Sequence, residues 1–292
     1  MTITAQLVKE LRVKTGAGMM DCKKALVETK GNIEEAATWL REKGISKAAK
    51  KQSRIAAEGL CHYAIDGNTA VLFELNSETD FVSKNKEFLE LLENIAQALI
   101  SAKPADTEAA LQADMNGETI ADALVEATFK IGEKLSIRRV NKLVKTDSQV
   151  FGAYKHNGGR IVVITILDGE KQEVAKDIAM HVAAINPSYI DQSQVPQDEL
   201  AKEKEILKQE ALNEGKPEAI VEKMVIGRLN KYLKDICLVN QPFVKDGDIT
   251  VEKYVKSMGM SVASFTRLSV GEGIEKRVDD FAAEVAAQIG SN

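Results

Sequence analysis

Residues Leu60-Cys61-His62-Tyr63-Ala64-Ile65-Asp66-Gly67-Asn68-Thr69-Ala70-Val71-Leu72-Phe73-Glu74-Leu75-Asn76 read as two strands and a turn. The runs 60–65 and 69–76 are apolar and strand-like, and Asp66-Gly67-Asn68 between them suits a tight hairpin. Val71, Phe73 and Leu75 alternate, so they share one face of the second strand. Downstream the period changes to helical. Phe88, Leu89, Leu91, Leu92, Ile95, Leu99 and Ile100 mark a helix, a second helix covers 119–130, and a strand covers 134–144 with Leu135, Ile137 and Val140. The polar stretch 104–117 between the helices reads as a loop. Hairpin, helix, helix, strand is an α+β unit.

The same order recurs. Strands 150–156 and 160–167 flank Asn157-Gly158-Gly159, a helix covers 173–185, and a short helix at 250–258 precedes a strand at 260–270. The pattern predicts a duplicated α+β core spanning 59–144 and 150–270. Two strongly helical stretches, 198–213 and 217–236, interrupt the second copy, separated by Gly215-Lys216-Pro217. Leu200, Leu207 and Ala211 facing Ile220, Met224, Leu229 and Leu233 would make an antiparallel helical hairpin.

Upstream, three short helices form a small bundle. Leu7 and Leu11 line the first, which ends at Thr15-Gly16-Ala17-Gly18. Met19, Cys22, Ala25 and Leu26 line the second, closed by Gly31. Asn32 caps the third, with Glu35 three residues on as in a capping box, and Gly44 is expected to end it. Residues 45–54 are basic and read as a linker or exposed helix. Residues 278–289 read as an amphipathic helix bearing Phe281, Val285 and Ile289. The expected division is therefore a helical bundle at 1–54, a first core half at 55–149, a second at 150–188 with 239–272, an inserted hairpin at 189–238 and a C-terminal helical module at 273–292.

Composition narrows the function. The chain has 292 residues, 44% hydrophobic, 28% charged and 5% aromatic, and 39 basic against 44 acidic residues leave a net charge of −5. That excludes wholesale disorder and allows roughly two domains of ~100–200 residues. No apolar run approaches the ~18–20 residues of a membrane helix. Residues 1–10 lack the order of a secretory signal or transit peptide, so a cytosolic, non-membrane protein is expected. The acidic balance disfavours general binding to DNA. Cys22, Cys61 and Cys237 form no Cys-x-x-Cys, and His62, His156 and His181 stand in no metal-ligand spacing. Gly16-Ala17-Gly18 and Gly271-Glu272-Gly273 lack the remainder of a phosphate cradle. No nucleophile elbow occurs. The reading is of a protein with no catalytic residues, no cofactor and no metal.

At two places the sequence stops being generic. The first is Leu7-Val8-Lys9-Glu10-Leu11-Arg12 followed by Lys14-Thr15-Gly16-Ala17-Gly18-Met19-Met20-Asp21-Cys22-Lys23-Lys24-Ala25-Leu26. The second is Thr79-Asp80-Phe81-Val82, directly after the hairpin. With Ala179-Met180-His181-Val182-Ala183-Ala184, these closely resemble the bacterial translation elongation factor Ts family, and the module order resembles it along the whole chain. The resemblance implies an N-terminal ubiquitin-associated-like bundle and a coiled-coil insertion. It also implies a guanine-nucleotide exchange factor that binds elongation factor Tu with GDP and promotes GDP release. Thr79, Asp80, Phe81 and Val82 would enter the partner's nucleotide domain and dislocate its Mg²⁺. Arg12, Met19, Met20 and Lys23 are the implied contacts of the first module, and His156 and His181 those of the second core half. A homodimer or a 2:2 complex with the partner stays open.

Plainer roles for these residues are also open at this stage. Thr79 or Asp80 could cap the following helix, and Phe81 could pack inward as a hydrophobic staple. A pure binding adaptor, or an RNA-associated factor using the basic residues 47–54, are the rival classes.

Overall fold

In a computed structural model, which describes residues 3–215 and 217–275, the chain divides into two units. Of the described residues, 3–143 together with 269–275 form one, and those within 144–268 form the other.

The first unit begins with α1 (Ala5–Thr15), α2 (Met19–Glu28) and α3 (Ile33–Lys51). Leu11, Cys22, Ala25, Leu26, Ala36 and Leu40 make its small core. Asn32 caps α3, its side-chain oxygen accepting from the Glu34 and Glu35 backbone amides, and its side-chain Nδ2 donates to Glu35 Oε1 at 2.7 Å. The expected stop at Gly44 does not occur: α3 runs through it to Lys51. Glycine inside a helix costs about 1 kcal/mol relative to alanine. Here it permits close packing, since a Cβ on Gly44 would sit 3.2 Å from Phe129 Cγ.

The hairpin follows as β1 (Glu58–Asp66) and β2 (Thr69–Ser77), antiparallel from Glu58↔Ser77 to Asp66↔Thr69. After it come α4 (Lys86–Ala102), α5 (Thr107–Leu111), β3 (Asp114–Met115), β4 (Glu118–Thr119), α6 (Ile120–Ile131) and β5 (Ser136–Val144), and the sheet order is β1-β2-β5. Val71, Phe73 and Leu75 bury against Phe88, Ile95 and Leu99, as the alternation implies. The stretch 104–117 is not an irregular loop. Asp106 caps α5, and Asn116 and Gly117, both at positive φ, turn β3 into β4. Asn-Gly is the dipeptide such a turn favours.

The second face of β2 is buried too, including Glu74 at 0% exposure. Its Oε2 lies 2.7 Å from Arg139 Nη2, and its Oε1 accepts from Asn76 Nδ2 and from the Gly271 amide. Arg139 has φ +49, and Ile137 and Val140 on either side of Arg138 and Arg139 both bury in one core. The positive φ of Arg139 coincides with that break in alternation.

The second unit repeats the sheet order. It contains β6 (Gln149–His156), β7 (Ile161–Asp168), α7 (Gln172–Ile185), α8 (Gln197–Asn213), α9 (Glu218–Ile236), β8 (Pro242–Phe243), β9 (Asp246–Thr250), α10 (Val251–Ser257) and β10 (Ser261–Ser269), with sheet order β10-β7-β6. Val163, Leu167, Ile178 and Val182 lie in its core. The helices α8 and α9 pack through Leu207, Ala211, Val221 and Val225. Ile220, expected in that seam, is exposed, because the buried stripe on α9 runs one residue later. At the hairpin base Glu199 accepts from both Tyr189 and Tyr232, and burial together with that bond pushes the Tyr232 hydroxyl up to about 12. The expected helix at 278–289 lies outside the described residues. No helix among the described residues is long and apolar enough to cross a membrane.

Candidate protein-docking site

The segment between β2 and α4 has little regular structure, yet it is tied down at almost every polar atom. The Thr79 amide donates to Glu133 Oε2 at 2.9 Å, and its hydroxyl donates to Glu133 Oε1 at 2.6 Å. Ser77 Oγ donates to the Thr79 carbonyl, and Ser83 Oγ donates to the Asp80 carbonyl. Val82 is buried in the first core. A 3₁₀ turn, Val82–Lys84, then leads to Asn85, whose side chain accepts the Glu87 amide and caps α4.

Neither Thr79 nor Asp80 is therefore the helix cap; Asn85 takes that role. Phe81 is no staple either, since it is 79% exposed in a helical backbone conformation. Burial of Val82, one residue on, directs the chain so that the neighbouring ring faces water. Lys84 Nζ lies 2.9 Å from Asp80 Oδ2 and 5.9 Å from the Phe81 ring centroid. The arrangement presents a benzyl group beside a paired carboxylate on a backbone that has few ways to move.

In the bundle, Met19 and Met20 are 58% and 74% exposed, and Arg12 and Lys23 are also at the surface. Val13, next to Arg12, and Val27, later on α2, are exposed as well. Val27 falls four residues after Lys23 on α2, on the face that carries Met20.

The two histidines part company. His156 is exposed at the end of β6, its Nδ1 3.4 Å from the Tyr154 hydroxyl. His181 is 0% exposed on α7. The Val244 amide donates to its Nδ1 at 3.2 Å, so Nε2 carries the proton and donates to Gln241 Oε1 at 2.9 Å. Burial pushes the imidazole below its usual range, partly opposed by the Gln241 bond. With both nitrogens engaged in the interior, its side chain presents nothing at the surface. This corrects the expectation that His181 touches a partner directly.

Three of the four basic residues at 47–54 that suggested RNA are engaged within the chain, and the fourth, Lys50, is exposed. Lys47 pairs with Asp21 at 2.7 Å, Lys51 donates to the Gly132 carbonyl, and Arg54 meets Glu78 at 3.3 Å. Among the described residues no group of three or more His, Cys, Asp or Glu could hold a metal ion. Glu133, Ser77 and Ser83 were missed as loop supports. The Glu133 contact crosses 54 residues of sequence, so no local spacing signals it.

The chain is a mixed α+β protein whose loop after β2 is hydrogen-bonded to Glu133 and leaves Phe81 exposed. The family model described as Elongation factor TS matches residues 78–272, more than half of the chain, and the chain belongs to that family. Its members are translation elongation factors that act in nucleotide exchange on elongation factor Tu, and they are not catalysts of bond chemistry.

Proposed function

We propose that this chain binds elongation factor Tu carrying GDP in the cytoplasm and speeds GDP release by inserting loop 79–82 at the partner's Mg²⁺ and phosphate site. A nucleotide held by a phosphate loop and Mg²⁺ leaves slowly because both grip its phosphates. A protein that binds better to the loosened state shifts the equilibrium toward it, and only such differential affinity can do so. No acid, base or nucleophile is required, only a wedge. The exposed Phe81 ring on an otherwise anchored loop supports this reading most strongly. Burying a phenylalanine contributes about 1.5–3 kcal/mol, enough to offset displacement of a partner segment near the ion. Asp80, beside it, competes for hydrogen bonds there.

Arg12, Met19, Met20 and Lys23 supply a second contact from the bundle, and His156 an outlying one from the second unit. The shared sheet order of the two units supports descent from a duplicated core, with the α8–α9 hairpin inserted in the second copy. The test is linkage. Adding this protein to elongation factor Tu loaded with fluorescent GDP accelerates release, and excess GDP with Mg²⁺ dissociates the protein complex. A complex equally tight with and without both rules the exchange reading out.

A further inference from the structure

We infer that Glu133 is a positioning residue for the docking loop, holding Thr79 so that Phe81 is presented before any partner arrives. The inference rests on the function proposed above. Glu133 lies outside the loop in sequence, in the turn after α6. That turn is itself anchored. The Gly132 amide donates to the Thr128 carbonyl, the Leu135 amide donates to Thr128 Oγ1, and Lys51 donates to the Gly132 carbonyl.

From this platform the two turns clasp each other. Glu133 takes both the amide and the hydroxyl of Thr79, while Glu78 Oε1 takes the Lys134 amide at 2.7 Å. Each turn thus donates a backbone N–H to a carboxylate of the other. Charge-assisted bonds of this kind are stronger than neutral ones. Lys134 Nζ closes the arrangement by donating to the Gln52 and Arg54 carbonyls. Removing the Glu133 carboxylate releases both donors of Thr79, leaving Ser77 Oγ as that residue's remaining tie. Ordering a free backbone is a cost of binding, and a loop ordered in advance does not incur it.

The test uses the full-length chain with elongation factor Tu and fluorescent GDP, varying the concentration of this protein. Glu133→Ala should raise the concentration for half-maximal GDP release about tenfold, equivalent to about 1.4 kcal/mol. The saturated rate should stay within about twofold, because the partner orders the loop once bound. Glu133→Gln keeps an acceptor for the Thr79 amide and should recover most of the loss. Hydrogen exchange should show the Thr79 amide losing protection in Glu133→Ala while the β2 amides keep theirs. A wild-type half-maximal concentration for a folded Glu133→Ala overturns the inference, as does a fall in the saturated rate with half-saturation unmoved. If that variant does not fold, Thr79→Val, which removes only the hydroxyl bond, replaces it. It should shift half-saturation the same way by a smaller factor, and no shift overturns the inference. Phe81→Ala separates the two levels. If it releases GDP like wild type, the loop reading falls and Glu133 with it; if it is defective while Glu133→Ala is normal, only the Glu133 assignment falls.

Discussion

Phe81→Ala is expected to leave the fold unchanged and to slow GDP release. The side chain is 79% exposed and belongs to none of the buried cores, so truncation leaves no cavity. Surface substitutions of this kind stay within about 0.5 kcal/mol of wild-type stability. Binding is another matter. Full burial of a phenylalanine contributes about 1.5–3 kcal/mol; roughly four fifths of that is still available in the free protein, which leaves about 1.2–2.4 kcal/mol. At about 1.4 kcal/mol per factor of ten, the accelerated release should fall about 7- to 60-fold. Stopped-flow fluorescence with labelled GDP measures it, with circular dichroism and a urea titration confirming the fold. A folded variant that accelerates release like wild type refutes the wedge. A variant that loses several kcal/mol of stability refutes the claim that Phe81 is held outside the core.

Three further outcomes follow from the same geometry. Glu74→Ala should destabilise the first unit by about 2–4 kcal/mol in urea denaturation, below the ~3–5 of a fully buried pair. The reduction reflects Arg139, which keeps Glu272 and the Ser269 carbonyl as partners; a loss under about 1 kcal/mol contradicts the buried network. Lowering the pH should destabilise the second unit through His181, whose folded pKa is depressed by burial. The contribution is complete above the unfolded value of about 6.5 and is lost as pH falls below it, because the unfolded state takes the proton first. An NMR titration in which the His181 ring protonates at or above that value contradicts the burial. Met20→Ala should leave the melting temperature unchanged but weaken binding to elongation factor Tu by isothermal titration. Unchanged affinity removes the bundle's apolar face from the interface.

The first hairpin, the α4 stripe and the recurring order of strands and helices along the chain were legible because each follows from local periodicity. Where the sequence reading went astray, long-range packing was responsible. Gly44 looks like a helix stop until Phe129 is found against it. Ile220 and Val221 are equally apolar, and only the register against Leu207 and Ala211 puts Val221 inside. The β3–β4 turn is a different case, since Asn116-Gly117 was a local signal that the surrounding polarity obscured. At the loop after β2, the family resemblance pointed to residues 79–82. It could not show that Val82 points in while Phe81 points out, nor that a carboxylate from the turn after α6 fixes Thr79. His181 shows the opposite failure, a residue inside a specific motif whose side chain is interior.

If Phe81 acts through the partner's Mg²⁺, its contribution must depend on that ion. The decisive comparison is GDP release driven by the wild-type chain and by Phe81→Ala, measured in Mg²⁺ and again after EDTA has removed it. The two proteins should differ about 7- to 60-fold in Mg²⁺ and become nearly equal in EDTA, where nothing is left to dislocate. A defect of the same size in both conditions would mean that Phe81 contributes to docking alone, and that the exchange step lies elsewhere.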